Sequence, residues 1–245
     1  MKLVLFNCLL LLFFAACDSL SEAEKIVNRS IDAHGGVLFE KAQISFDFRN
    51  RYYEIHKSSE RFEYVREFSD STGLVRDILN NEGFVRTVNG EEVTLEDKSI
   101  RAYTNSVNSV AYFAFLPYGL NDFAVYKSYL GETEISGIPY HLIKVTFSEE
   151  GGGEDFDDEF LYWINQESYL VDYLAYSYET DGGGVRFRRA VHQHIEGGLV
   201  LQDYENYQPK DKNTPLEDME ALYKAGELEL LSEIELKNIK VEIIN

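Results

Sequence analysis

Cysteine and proline are scarce in this chain of 245 residues, which has two cysteines and four prolines. Cys8 lies inside the apolar N-terminal run, so Cys17 is the only cysteine left if that run is removed. A structural disulfide within the mature chain is then excluded. The fold must be stabilised by a hydrophobic core, for which 17 tyrosines and 16 phenylalanines provide material.

Positive charge is also scarce. The chain has 23 Lys and Arg residues against 43 Asp and Glu residues, which gives a formal net charge of −20. A protein this acidic repels nucleic acid and anionic membrane surfaces. We therefore expect no nucleic-acid partner, and we expect any membrane contact to come through an anchor or an apolar pocket.

The N-terminal apolar run is shorter than the roughly 20 residues that a membrane-spanning helix needs. It has the layout of a secretory signal: Lys2 at the positive end, an apolar middle, and the small residues Ala15 and Ala16 before Cys17. A cysteine directly after Ala-Ala and followed by polar residues resembles the lipobox of bacterial lipoproteins, in which the thiol is joined to a diacylglycerol. A secreted protein that has a cysteine there by chance is the alternative.

This interpretation divides the chain into three parts: a signal peptide over residues 1–16, a lipidated tether over 17–21 and a single domain over 22–245. Two or more acyl chains on one cysteine give stable membrane anchoring. We expect the protein to lie in the cell envelope, anchored by lipidated Cys17 to the outer membrane and facing the periplasm.

The patterns of the domain predict mostly antiparallel strands. Ser21 and Glu24 fit a capping box that begins a first helix, and a second helical spacing runs from Ile100 to Ala114. Most of the remainder alternates apolar and polar residues, and Asn89-Gly90 is a strong hairpin signal. The predicted fold is α+β, mainly antiparallel β: an open half-barrel of about ten strands with covering helices.

Five segments carry a resemblance to a known superfamily. The chain is similar to the outer-membrane lipoprotein-sorting proteins, the periplasmic lipoprotein carrier and its membrane-anchored receptor, at residues 129–140, 142–146, 162–165, 197–199 and 236–243. The resemblance implies an open half-barrel whose concave face is covered by helices and receives acyl chains. Residues 33–36 (Ala-His-Gly-Gly) and 105–110 (Asn-Ser-Val-Asn-Ser-Val) more closely resemble a family of Gram-negative lipoproteins that has no assigned activity.

The second predicted helix supplies candidate ligand-binding residues. A half-barrel under a loosely packed apolar helix leaves a dry cleft that suits acyl chains, since each methylene removed from water contributes about 0.8 kcal/mol. The residues expected to line this lid are Tyr103, Val107, Val110, Phe113 and Phe115. The alternative is that they close the core with no void behind them.

A second candidate surface is polar. Arg186, Arg188, His192 and His194 are expected to share one face of a strand, where they would seat a carboxylate or phosphate group. The alternative is that they pair with acidic residues on adjacent strands. The two histidines have a spacing suited to a metal, but no third ligand is identifiable, so no metal site and no cofactor are predicted.

The remaining motifs favour binding over catalysis. There is no Gly-x-Ser-x-Gly elbow, and the acidic cluster over residues 149–159 lacks the pattern of a known calcium loop. The preferred hypothesis is a lipid-anchored binding protein for a hydrophobic or lipidated ligand, acting in lipoprotein or lipid trafficking. The alternatives are an envelope enzyme that acts on a small anionic substrate through the Arg and His face, and a structural lipoprotein without a ligand.

Overall fold

The computed structural model describes residues 20–150 and 156–244. The predicted signal peptide, Cys17 and most of the predicted tether lie outside the described residues. Every described helix and strand falls within residues 22–243. The helices are α1 (Glu22–His34), α2 (Leu38–Lys41), α3 (Asp97–Ala114) and α4 (Met219–Ala225).

The described strands form two open antiparallel sheets of seven strands each. The first sheet consists of β1 (Ala42–Phe48), β2 (Arg51–Lys57), β3 (Phe62–Asp70), β4 (Gly73–Asn80), β5 (Gly83–Val88), β6 (Glu91–Glu92) and β14 (Lys237–Ile243). The second consists of β7 (Val125–Ile135), β8 (Ile138–Phe147), β9 (Glu159–Asn165), β10 (Val171–Tyr178), β11 (Gly184–Glu196), β12 (Leu199–Gln208) and β13 (Glu229–Ile234). Neighbouring strands are joined mainly by hairpins. The last strand, β14, forms one edge of the first sheet and pairs with β1.

The predicted α+β class, mainly antiparallel and open, is confirmed. The strands number fourteen and belong to two sheets. The chain leaves the first sheet after β6, through α3, and returns to it between β13 and β14. Tyr204 of β12 pairs with Ile234, whereas Ile44 of β1 pairs with Val241. The alternation of residue types is similar on both sides of this crossover, so the sequence pattern does not reveal it.

The first predicted helix begins and ends where its motifs indicate. The side chain of Ser21 accepts a hydrogen bond from the Glu24 backbone N–H at 3.2 Å, and the Glu24 carboxylate accepts one from the Ser21 backbone N–H at 2.7 Å. This reciprocal pair is the predicted capping box. Gly35, with a φ of 127°, ends the helix. The apolar side of α1 packs against the second sheet, where Val27 contacts the same buried cluster as Ile143.

The buried side chains form three clusters on the faces of these sheets. In the first, the inner face of the first sheet packs under α3, with Ile44 and Val107 among the buried residues. In the second, the inner face of the second sheet packs under α1. In the third, the outer face of the second sheet is covered by α4, where Met219 joins the cluster that contains Trp163. The second sheet is therefore buried on both faces.

The strand β12 connects the two inner clusters. Leu201 packs with the residues of the first sheet, and Tyr204 packs with those of the second. This arrangement sets the inner faces of the two sheets beside each other, with α3 over the space between them. Within the described part of the chain, no helix has both the length and the hydropathy needed to cross a bilayer.

Candidate ligand-binding cavity

A cavity of about 600 Å³ lies between the inner faces of the two sheets, beside the C-terminal half of α3. Small-molecule sites typically enclose about 300–1,000 Å³. Aromatic rings dominate its lining: Phe46, Phe48, Tyr53, Tyr112, Phe113, Phe147, Phe160, Tyr176, Tyr178 and Tyr204. Aliphatic side chains, among them Val110, Leu201, Ile234 and Leu236, complete the apolar part. The lining suits a ligand with a substantial hydrocarbon portion.

Two of the five residues predicted to line the lid do line the cavity. Val110 and Phe113 line it. Val107 and Phe115 instead pack into the core of the first sheet, where they are 1% and 3% exposed. The Tyr103 ring lies 3.6 Å below the guanidinium of Arg86. The helix α3 therefore has one side that closes the core and another that faces the cavity.

Two of the four residues predicted for the polar face also line the cavity. Arg186 and Arg188 occupy alternate positions of β11, on the side that faces α3. The guanidinium of Arg188 lies 3.7 Å from the ring centroid of Phe113, and its Nη2 donates a hydrogen bond to the Tyr176 hydroxyl at 2.9 Å. The structure thus brings together residues that the sequence assigned to two separate sites.

The two histidines do not share the face of these arginines. A β-bulge interrupts the pairing of β11 with β12 between Ala190 and His192. An extra residue in one strand reverses which side chains point to which face. His192 consequently lies opposite Asp203, and His194 Nε2 is 3.0 Å from the Asp203 carboxylate, although the geometry is not that of a hydrogen bond. The expectation of a single Arg and His face is wrong for this reason.

The first sheet adds two more arginines to the cavity. Arg49 and Arg51 line it from the β1–β2 hairpin. Arg49 is exposed, Arg51 and Arg186 are half-buried, and Arg188 is buried with 8% of its surface exposed. Among the side chains that the structure describes, no carboxylate forms a salt bridge with any of the four. The lining contains one acidic residue, Asp158, beside these four arginines. In a chain with 43 acidic residues, this excess of arginine in one cavity is unusual.

The cavity wall formed by β11 and β12 also contains buried polar atoms without hydrogen-bond partners in the described structure. They are Arg188 Nε, Gln202 Nε2 and Asn206 Oδ1. Arg188 and Asn206 are directly paired across the two strands. Buried polar atoms in native proteins are usually satisfied, so unsatisfied ones need an explanation. Here they mark the polar part of an otherwise apolar cavity.

Arg66 is a second buried arginine, and unlike Arg188 it is paired with a carboxylate of the chain. Arg66, 2% exposed, donates through Nε and Nη2 to the carboxylate of Asp77 at 2.8 and 2.6 Å. Arg86 donates to the same carboxylate, and Arg66 Nη1 donates to Ser106 on α3 at 2.7 Å. This network fixes α3 to the first sheet beside the cavity, and the hydrogen bonds to Asp77 raise the pKa of Arg86.

Two buried tyrosine hydroxyls and one buried histidine lie in or next to the lining of the cavity. The hydroxyls of Tyr112 and Tyr162 are 2.8 Å apart, and burial raises the pKa of both. His34 is buried at the end of α1, with Nδ1 2.8 Å from the Ser30 carbonyl oxygen and Nε2 3.4 Å from Gln202. Burial lowers its pKa. These groups are neutral near pH 7, so the charged side chains of the lining are the four arginines and Asp158.

Sequence reasoning missed Arg49, Arg51, Gln202 and Asn206. A signal existed for Arg51, because it shares the alternation of Tyr53 and Ile55, whose side chains face the core. The other residues had no such signal, because only the meeting of two sheets makes them neighbours. Part of the acidic cluster at residues 149–159 lies outside the described residues. Among the described His, Cys, Asp and Glu, no group of three or more is arranged to hold a metal ion.

Comparison with known proteins gives one family match and several similar folds. The model of a family described as "Family of unknown function (DUF6503)" matches residues 1–236. A LolA superfamily protein from Nitrosomonas europaea has a TM-score of 0.49 at 10% identity, with 91% of this chain and 94% of that chain covered. An outer membrane lipoprotein-sorting protein domain from Vibrio parahaemolyticus has a TM-score of 0.46 at 6% identity, with 89% and 91% covered.

A DUF1329 family protein from Desulfovibrio piger is similar to a comparable extent. Its TM-score is 0.45 at 10% identity, with 90% of this chain and 93% of that chain covered. No curated protein matches the sequence.

Proposed function

Since the chain belongs to the DUF6503 family, which has no established function, we propose that it is a binding protein for a hydrophobic or lipidated ligand. The ligand occupies the cavity between the two sheets. The observation that carries this proposal is the cavity of about 600 Å³ with its largely aromatic and aliphatic lining.

The physical basis is the transfer of hydrocarbon from water into this space. Each methylene that leaves water contributes about 0.8 kcal/mol without requiring a directional partner. The lining side chains come from three separate elements, α3 and the inner faces of both sheets. Such a site is preformed by the packing around it, so the chain loses little conformational freedom when a ligand enters.

The proposal includes the location of the protein. Cys17 carries the lipid anchor, and the domain faces the periplasm from the outer membrane. There the protein holds an acyl chain of a lipoprotein or envelope lipid during trafficking. The anchor keeps the domain at a membrane surface, where such ligands are released or delivered.

Native mass spectrometry tests the ligand. The chain that begins at Asp18 retains every described helix and strand, and it is expressed into the periplasm, purified without detergent and measured before and after denaturation. We expect an added mass of lipid size that is lost on denaturation and recovered in an organic extract. An unliganded mass, together with no uptake of added long-chain lipids, would refute the proposal.

Two substitutions place the ligand in the cavity. Val110→Asp puts a charge into the lining, and Ala114→Trp fills part of the space with an apolar ring; both positions line the cavity. We expect each variant to lose the bound mass. Ala102→Asp, on an exposed position of the same helix, is the matched control and should retain it. Equal retention by all three variants would show that any bound lipid lies elsewhere.

A further inference from the structure

We propose that the ligand of this cavity is an anionic amphiphile, whose carboxylate or phosphate group pairs with the guanidinium of Arg188. This inference rests on the proposed function and narrows it from hydrophobic ligands in general to those that carry a negative charge.

Arg188 is a buried cation without a carboxylate partner among the described side chains. The residue is 8% exposed, and its guanidinium contacts two neutral groups: the ring of Phe113 at 3.7 Å and the hydroxyl of Tyr176 at 2.9 Å. Its Nε is buried and has no hydrogen-bond partner in the described structure. Arginine stays protonated in proteins, so the fold holds a full positive charge, for which the described side chains show no salt bridge.

Arg188 differs from Arg66, the other buried arginine beside α3. Both guanidinium groups contact α3: Arg66 donates a hydrogen bond to Ser106, and Arg188 lies over the ring of Phe113. Arg66 has a carboxylate, Asp77, that receives two of its hydrogen bonds, whereas Arg188 has none. A buried charge is expected to be paired. The missing partner of Arg188 is therefore expected to arrive with the ligand.

The charge of Arg188 lies in the wall of the cavity. Arg188 lines the cavity with Arg186 and Arg51, which are half-buried, and with Arg49, which is exposed. Of these four arginines, Arg188 is the most buried and Arg49 the most exposed. A guanidinium presents parallel N–H donors that match the two oxygens of a carboxylate or phosphate. The aromatic and aliphatic lining then holds the hydrocarbon portion of the same molecule.

Binding of cis-parinaric acid and of its methyl ester separates charge from hydrocarbon. The two fluorescent probes have the same chain and differ in the carboxylate. The chain that begins at Asp18 is stripped of copurified lipid and titrated with each. We expect the acid to bind at least about 10-fold more tightly than the ester, which corresponds to about 1.4 kcal/mol.

The variants assign that difference to one residue. Arg188→Gln should weaken binding of the acid by about 10-fold or more and leave the ester within about 2-fold. Arg189→Gln removes the same charge from the next residue of β11, whose side chain pairs with Glu205 on the other face of the sheet. This control should leave both probes unchanged. Arg188→Lys should recover part of the preference for the acid, because it restores charge without the planar fork.

Competition distinguishes the two sources of the anion. Palmitate and palmitoyl lysophosphatidate are compared as displacers of the acid, with monopalmitoylglycerol as the uncharged reference. Stronger displacement by palmitate identifies a carboxylate ligand, and stronger displacement by the lysophosphatidate identifies a phosphate; both support the inference. Displacement by the uncharged lipid that equals both would overturn it.

The binding results distinguish a failure of the proposed function from a failure of the anionic pairing alone. If neither probe binds wild-type protein, the proposed function fails and this inference fails with it. If acid and ester bind equally well to wild type, the cavity takes hydrophobic ligands and only the anionic pairing is refuted. That wild-type comparison remains decisive even if Arg188→Gln does not fold.

Discussion

The guanidinium of Arg188 lies 3.7 Å from the ring centroid of Phe113, so a cation–π contact connects β11 to α3 across the cavity. The contact is shielded from water, since Arg188 is 8% exposed. Shielded cation–π pairs contribute about 2 kcal/mol, and exposed ones about 0.5–1 kcal/mol. The contact therefore helps to hold α3 against the second sheet, and both of its residues line the cavity.

A double-mutant cycle measures this contact. Phe113→Leu and Arg188→Met each remove one partner and keep a large apolar side chain. We expect the unfolding free energies of the lipid-free proteins to be coupled by about 1–2 kcal/mol. Additive effects in urea unfolding would show that the ring and the guanidinium are adjacent without interacting.

Asp77 is the centre of a buried network whose loss is expected to be severe. Its side chain is fully buried and accepts hydrogen bonds from Arg66 and Arg86. Asp77→Asn leaves two guanidinium groups without their carboxylate, so we expect a loss of about 3–5 kcal/mol in urea unfolding. Glu67→Gln breaks the more exposed pair with Arg76 and should cost less than about 1 kcal/mol. Similar losses in the two variants would contradict this account.

Gly35 is required at the end of α1 for two reasons. Its φ of +127° is unfavourable for a residue with a side chain, and an added Cβ would lie 2.5 Å from Leu199 Cδ2 and 2.9 Å from the Gly198 carbonyl oxygen. Gly83 has a similar φ of +124° with nothing within 4 Å of an added Cβ. We expect Gly35→Ala to destabilise the protein more than Gly83→Ala, and chemical denaturation of both variants isolates the steric part. Equal losses would assign the whole effect to backbone strain.

His34 makes stability depend on pH. Burial lowers its pKa from the ordinary 6.5, so the folded protein keeps the imidazole neutral while the unfolded chain takes up a proton below about pH 6.5. The unfolded state then binds more protons, and stability falls as the pH is lowered from 6.5 toward the depressed folded pKa. Above that window the contribution is fully present.

The measurement compares wild type with His34→Gln by urea unfolding between pH 5 and 8. The variant should lose less stability between pH 7 and pH 5 than wild type does. At pH 7.5–8, where the histidine is neutral in both states, the two stability curves should run parallel. Parallel curves over the entire range would show that His34 does not contribute to the pH dependence.

Cys17 is expected to hold the protein on the membrane. Cys17→Ser removes the thiol that carries the diacylglycerol, so we expect the full chain to lose both labelled palmitate and its lipid anchor when produced in a Gram-negative host. Labelling followed by membrane fractionation in detergent measures this. Ser19→Ala, two residues further along, is the control and should be labelled like wild type. Equal labelling of the Cys17 variant would favour the ordinary secreted protein.

The sequence by itself determined the local structure. The capping box at Ser21 and Glu24 and the hairpin at Asn89-Gly90 depend on contacts between near neighbours, which residue patterns encode directly. The same holds for the position of α3, whose apolar spacing predicted residues 100–114 and whose bounds are Asp97–Ala114.

Only the tertiary structure decided which of these elements form the candidate site. The bulge after Ala190 turns His192 and His194 away from Arg188, and no residue pattern marks it. Arg51 of the first sheet and Arg188 of the second line one cavity because the sheets meet under α3. Whether two residues 137 positions apart line one cavity depends on how whole sheets pack, so alternation along one strand identifies a buried face without specifying what lies across from it.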